Sequence, residues 1–222
     1  MEAIWTVITP TTGNKSLLNL KEKLKKEQLP YVHLVMMDDK RVDNALTPEE
    51  IEDDVTFVYE VKHPTYRRTT DRMDVYLRGV GISLARTKYI KCADDDTWPE
   101  NNHLEQATEF LEKFNLDFCW CIRKMFERNG NPIGFDLFEA TGFKNDFGYN
   151  LLDNSSIFFN RKAGDILSSI FLSNTTYGDD RLTWQPLMSY SKGGFLRKHL
   201  INHMAQPELE AMFKKHCKPC LP

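Results

Sequence analysis

Tyr89-Ile90-Lys91-Cys92-Ala93-Asp94-Asp95-Asp96 is the stretch on which the reading of the fold turns. Aromatic and β-branched residues make Tyr89–Ala93 a short strand, and it ends abruptly in three adjacent carboxylates. Working back towards the amino terminus, three more strands carry the same signature. Val55–Val61 (VTFVYEV) is stopped by His63-Pro64, Tyr31–Met37 (YVHLVMM) ends in Asp38-Asp39, and Thr6–Thr9 (TVIT) ends in the turn Pro10-Thr11-Thr12-Gly13-Asn14. Helical patterns separate them. Ser16–Gln28 sets Leu17, Leu20 and Leu24 on one face, and a second helical stretch runs around Arg72–Arg86. Downstream, Pro99 is expected to open a helix with Leu104, Ala107, Leu111 and Phe114 as its apolar stripe. Short strands alternating with helices predict an α/β protein, its mostly parallel sheet covered on both faces.

The second half is less regular. Phe118–Ile122 (FCWCI) and Ser155–Asn160 (SSIFFN) read as strands, with a Gly- and Phe-rich loop from Asn129 to Tyr149 between them. Asp179-Asp180 and Trp184–Leu187 follow, then a basic, His-containing terminal helix and tail over 191–222. No repeat or break in composition marks a second domain, so 1–222 reads as one. The chain has 222 residues, 41% of them hydrophobic and 27% charged, which excludes disordered and fibrous classes. Twenty-nine Lys and Arg against 32 Asp and Glu, a net charge of -3, leave no basic footprint for a nucleic-acid partner. No apolar run is long enough to span a bilayer, and MEAIWTVITP lacks a signal pattern, so a soluble, cytoplasmic protein is expected.

In parallel α/β sheets ligands bind outside the carboxyl ends of the strands. Three of the four strands end there in polar candidates: Thr9-Pro10-Thr11, Asp38-Asp39 and Asp94-Asp95-Asp96. Three adjacent carboxylates repel one another, and a hard cation such as Mg²⁺ or Mn²⁺, shared with substrate phosphates, relieves that repulsion. The competing reading is a solvated acidic turn capping the next helix. Of the five cysteines, Cys92, Cys119 and Cys121 lie in apolar strands and read as small buried hydrophobes. Cys217 and Cys220, with His199 and His203 four apart on the expected terminal helix, offer zinc ligands; the plainer reading is an ordinary terminus.

Taken together, TVITPTTGN, VMMDDK and RGVGISLARTKYIKCADDDTWPENN resemble the family 2-type glycosyltransferases with the GT-A fold, over roughly residues 3 to 190. The resemblance implies an inverting transfer of a sugar from a nucleotide-diphosphate donor to an acceptor hydroxyl on a glycan or other molecule. It divides the domain into a donor-binding half, about 1–97, and an acceptor-side half, about 98–190. By the same resemblance, Thr9, Pro10 and Thr11 line the nucleoside pocket, and Asp39, or else Asp38, accepts a hydrogen bond from the base. A carboxylate there suits a uracil or thymine imide N–H, hence a UDP- or dTDP-sugar. Asp94 and Asp95 would face the ribose and diphosphate, with the metal at Asp96 and Asp94, and Asp180, with Asp179 beside it, would be the general base. Gly79 stands where the family often has Asn, which leaves Arg72 and Arg78 as the cationic candidates for the diphosphate. Trp184 suggests an acceptor platform or a core aromatic, and His199 or His203 a last metal ligand or a structural residue.

Two rivals compete. A sugar-phosphate nucleotidyltransferase would carry a longer Gly-rich basic loop than Pro10–Ser16. A non-catalytic sugar-nucleotide or glycan-binding module would make Asp180 incidental. A glycosidase fits less well, because paired carboxylates alone leave the nucleotide-pocket features unexplained.

Overall fold

Strand β1 (Trp5–Thr11) is buried along its whole length, as its near-continuous apolar and Thr sequence requires of a central parallel strand. The computed structural model describes residues 2–62, 73–136, 152–173, 186–205 and 207–218. β1 lies between β2 (Tyr31–Asp38) and β4 (Tyr89–Cys92), with β3 (Thr56–Val61) outside β2, all parallel. Beyond β4 the sheet changes character. β8 (Ile157–Asn160) runs antiparallel to β4, and β6 (Phe118–Phe126) antiparallel to β8. β9 (Gly193–Met204) is parallel to β6, and β5 (Thr97–Pro99) closes the far edge. The full order is β3-β2-β1-β4-β8-β6-β9-β5, with β7 (Pro132–Asp136) paired to β6.

Alternation along the strands feeds two apolar layers. Trp5, Val7, Val35, Tyr89, Cys119 and Phe158 face α1 (Ser16–Leu24) and α4 (His103–Phe114). Ile8, Met36, Ile90, Trp120 and Phe159 face α3 (Met73–Leu84) and α5 (Arg161–Ser173). Between β2 and β3 a single helical turn, α2 (Pro48–Ile51), buries Ile51. A Cβ on Gly79 would lie 2.9 Å from the Phe171 Cβ, so the residue that departs from the family's Asn is where α3 meets α5.

Two expectations are corrected. Residues 193–204 form a strand rather than a terminal helix; the helix is confined to Pro207–His216. The misleading signal was His199 and His203, four apart, a spacing that suits one face of a helix but equally one face of a strand. The strand is irregular where it passes β6, with Cys121 opposite Leu196 but Ile122 opposite His199. Likewise Pro99 does not open α4. It ends edge strand β5 opposite Ile201, where a missing N–H is tolerated, and α4 begins at His103 after left-handed Asn102.

Candidate active site

At the carboxyl ends of β1, β2 and β4, the side chains that follow the strands converge. Thr11 Oγ1 donates to Asp95 Oδ2 at 2.5 Å and accepts from the Gly13 N–H at 3.0 Å, tying the turn after β1 to the acidic cluster. Pro10, Thr11, Asp38, Asp74, Leu77 and Asp95 line a cavity of about 180 Å³ there. Asp38 is buried, and its Oδ1 accepts the Lys40 N–H at 2.9 Å; Asp39 is exposed. Thr9 is fully buried, hydrogen-bonded to His33 Nε2 at 2.9 Å, and lines neither this cavity nor the larger one described below.

Arg78, almost wholly buried on α3, ion-pairs with Asp94 and, at 2.5 Å, with Asp74. Asp74 had escaped the sequence reading, although its place four residues before Arg78 is the spacing of a helical ion pair. Arg72, Asp179, Asp180 and Trp184 lie outside the described residues.

The β5–β9 pairing sets His203 opposite Thr97, one residue after the cluster. Asp94, Asp96 and His203 each offer one ligand atom, all within 4.8 Å of one another. His203 Nε2 stands 3.9 Å from Asp96 Oδ2, and its Nδ1 is buried with no hydrogen-bond partner. His199 is elsewhere engaged: its Nε2 is 3.0 Å from Asn202 Oδ1. Among the described residues no other group of three metal-binding side chains comes together; Cys217 is half-buried, and Cys220 lies outside them.

The carboxylates share a poorly hydrated place. Burial pushes Asp95 up to about 6 against the Thr11 bond, and pushes Asp96 up to about 6 against the attraction of His203. Charge crowded in this way favours a bound cation. A second cavity, of about 370 Å³, opens beside Asp95 and Asp96, with Asn14, Asn19, Trp98 and Arg128 on its walls.

The acidic cluster thus follows β4, one of the four parallel strands of a mixed α/β sheet, and the late strand β9 returns His203 to it. The model of the family described as "Glycosyl transferase family 2" matches residues 6–167, and the chain belongs to that family. Among solved structures, it is similar to S. aureus TarS 1-349 in complex with UDP-GlcNAc, with a TM-score of 0.65 and 15% identity, covering 91% of this chain and 58% of that one. TarS 1-349 in complex with UDP gives a TM-score of 0.62 at 17% identity, covering 94% and 62%. The longer S. aureus TarS chain gives 0.65 at 17% identity, covering 94% of this chain and 38% of its own. The chain thus spans about three fifths of the TarS 1-349 fragment and shares its fold. Among curated proteins none matches. No described helix is long and apolar enough to cross a membrane.

Proposed function

We propose that this family 2 glycosyltransferase moves a sugar from a UDP- or dTDP-sugar to an acceptor hydroxyl, with inversion at the anomeric carbon. The observation that carries the reading is the Asp94–Asp96–His203 cluster beside a cavity lined by Thr11, Asp38 and Asp95. Asp38 is suited to accept the imide N–H of the base, and Asp95, tied to Thr11, to face the ribose. Arg78 already neutralises Asp94 from α3 and is suited to orient the diphosphate end of the donor.

The donor set fits Mn²⁺ or Mg²⁺. Two carboxylates and an imidazole converge, and the buried Nδ1 of His203 makes no competing hydrogen bond. Asp94, Asp96 and His203 would hold the ion, which when bound supplies Lewis-acid neutralisation of the leaving diphosphate. The acceptor oxygen attacks the anomeric carbon, the bond to the diphosphate breaks, and Asp180 takes the acceptor proton. Buried cysteines at 92, 119 and 121, all free, suit a reducing, cytoplasmic setting.

The test is incubation with a panel of nucleotide sugars and candidate acceptors in Mn²⁺, reading released nucleoside diphosphate and product. Transfer should need a uridine or thymidine donor and be abolished by EDTA. Asp180→Asn should lower it by about 10²–10⁴-fold while donor affinity barely changes. Donor binding without transfer to any acceptor would favour the binding-module reading instead.

A further inference from the structure

The cavity of about 370 Å³ shares only Asp95 with the smaller one assigned to the nucleoside, so the two meet at the acidic cluster. The smaller is walled on one side by Asp74 and Leu77 of α3; the larger by the start of α1, by β5 and by the hairpin between β6 and β7. An inverting transfer needs two such spaces, because the acceptor oxygen enters the anomeric carbon from the side opposite the departing diphosphate. The volume of the larger cavity falls in the range of ligand sites.

The hairpin delivers a cation to that cavity. Its turn is closed by the Glu127 N–H on the Asn131 carbonyl at 2.8 Å and the Gly130 N–H, at left-handed φ +87°, on the Glu127 carbonyl at 2.9 Å. The Glu127 carboxylate accepts from Asn129 Nδ2 at 2.8 Å and pairs with Lys214 of the C-terminal helix at 2.6 Å. The one acid of the turn is thus engaged elsewhere. Arg128, exposed beside it on the cavity wall, has no ion pair or hydrogen bond among the described residues, not even with Asp95 or Asp96 across the same cavity. In a chain of net charge -3, next to a carboxylate cluster, an uncommitted guanidinium reverses the local sign.

Between these charges the walls suit a sugar. Half-buried Trp98 is set by Phe126, the last residue of β6, with ring centres 5.2 Å apart, and an indole held in this way offers an apolar face to the C–H side of a sugar ring. Asn14 and Asn19 add carboxamides; the Asn14 oxygen accepts the Ser16 N–H at 3.1 Å, which leaves its NH₂ to donate to a hydroxyl.

We propose that the larger cavity is the acceptor subsite and that its acceptor is acidic: a sugar unit carrying a carboxylate or a phosphate, gripped by the fork of Arg128 while its ring lies on Trp98. This rests on the transfer reading above, and it makes Arg128 a specificity-determining residue that leaves the donor untouched.

The test is ligand-observed NMR titration of the whole chain, loaded with Mn²⁺ and UDP so that no turnover occurs, with glucuronic acid, glucose 6-phosphate and glucose as probes. At least one acid should bind about 10-fold more tightly than glucose, the lower end for hydrogen bonds to a charged group because the guanidinium is exposed. The tighter acid tells carboxylate from phosphate. Arg128→Gln should erase the preference, and Arg128→Lys, which keeps the charge and loses the fork, should retain part of it. UDP affinity and the thermal midpoint should not move in either variant. Trp98→Ala should weaken all three probes alike. Equal binding of acids and glucose by the wild type, no binding of any probe, or a preference that survives Arg128→Gln would overturn the inference while UDP binding keeps the transfer reading intact. Failure of the wild type to bind UDP in Mn²⁺ would remove the transfer reading, and the acceptor role of the cavity with it.

Discussion

At the end of β2 two carboxylates stand side by side, and Asp38, 7% exposed, is the one that lines the cavity. Asp39, the next residue, is exposed. The sequence favoured Asp39, with Asp38 as the alternative, because either satisfies the spacing after an apolar strand; in the structure Asp38, the last residue of β2, is the buried one. Asp38→Ala should therefore weaken UDP binding and erase its advantage over CDP, a loss of about 1–3 kcal/mol for one unmade buried hydrogen bond. Asp39→Ala should change it little. Calorimetry with the two nucleotides checks this, and equal losses in both variants would return the base contact to the pair. Thr9, whose Oγ1 is bonded to His33, should influence nucleotide affinity only indirectly.

At the scale of elements, His33 on β2 carries the next prediction. It is buried between sheet and helix, and burial first, then Lys21, pulls its pKa down to about 3, with Asp53 opposing. The folded state thus holds it neutral, whereas the unfolded chain binds a proton near 6.5. Its contribution is fully present above about 6.5 and is lost as the pH falls towards 3, by about 1.4 kcal/mol per pH unit within that window. Asp95 and Asp96 work in the opposite sense, since carboxyls raised to about 6 cost stability when ionised and relieve that cost on protonation. The difference between wild type and His33→Gln isolates the histidine. Between pH 7 and pH 5 wild type should lose about 2 kcal/mol more than the variant in urea denaturation. Parallel curves would contradict the assignment. The β9 strand belongs to the same scale: despite its irregular register against β6 it delivers His203 to β5, opposite Thr97.

Over the whole molecule, two apolar layers hold one sheet whose parallel half ends in Thr11, Asp38 and Asp94–Asp96, while its mixed half returns His203 to them. Ligands that bind only the folded chain stabilise it by mass action, by about 2.7 kcal/mol at a hundred times their Kd. UDP with Mn²⁺ should raise the thermal midpoint of the wild type, and Asp96→Ala should abolish the share that depends on Mn²⁺. A midpoint indifferent to both would leave the acidic cluster as a solvated turn.

The parallel half, its two covered faces and the convergence of polar residues at the strand ends were legible in the sequence, because period-two burial and helix stripes are local patterns written into neighbouring residues. Family membership was legible for a related reason: TVITPTTGN, VMMDDK and KCADDD keep order and spacing along the chain. The tertiary structure alone decided which members of that set meet. It buried Asp38 rather than Asp39, set Thr9 against His33, and separated His203 from His199. It also joined Arg123 to Asp136 and Asp153, residues 13 and 30 positions further on. None of these follows from spacing, since each depends on strand register, on a bulge, or on which charges the low-dielectric interior forces to pair.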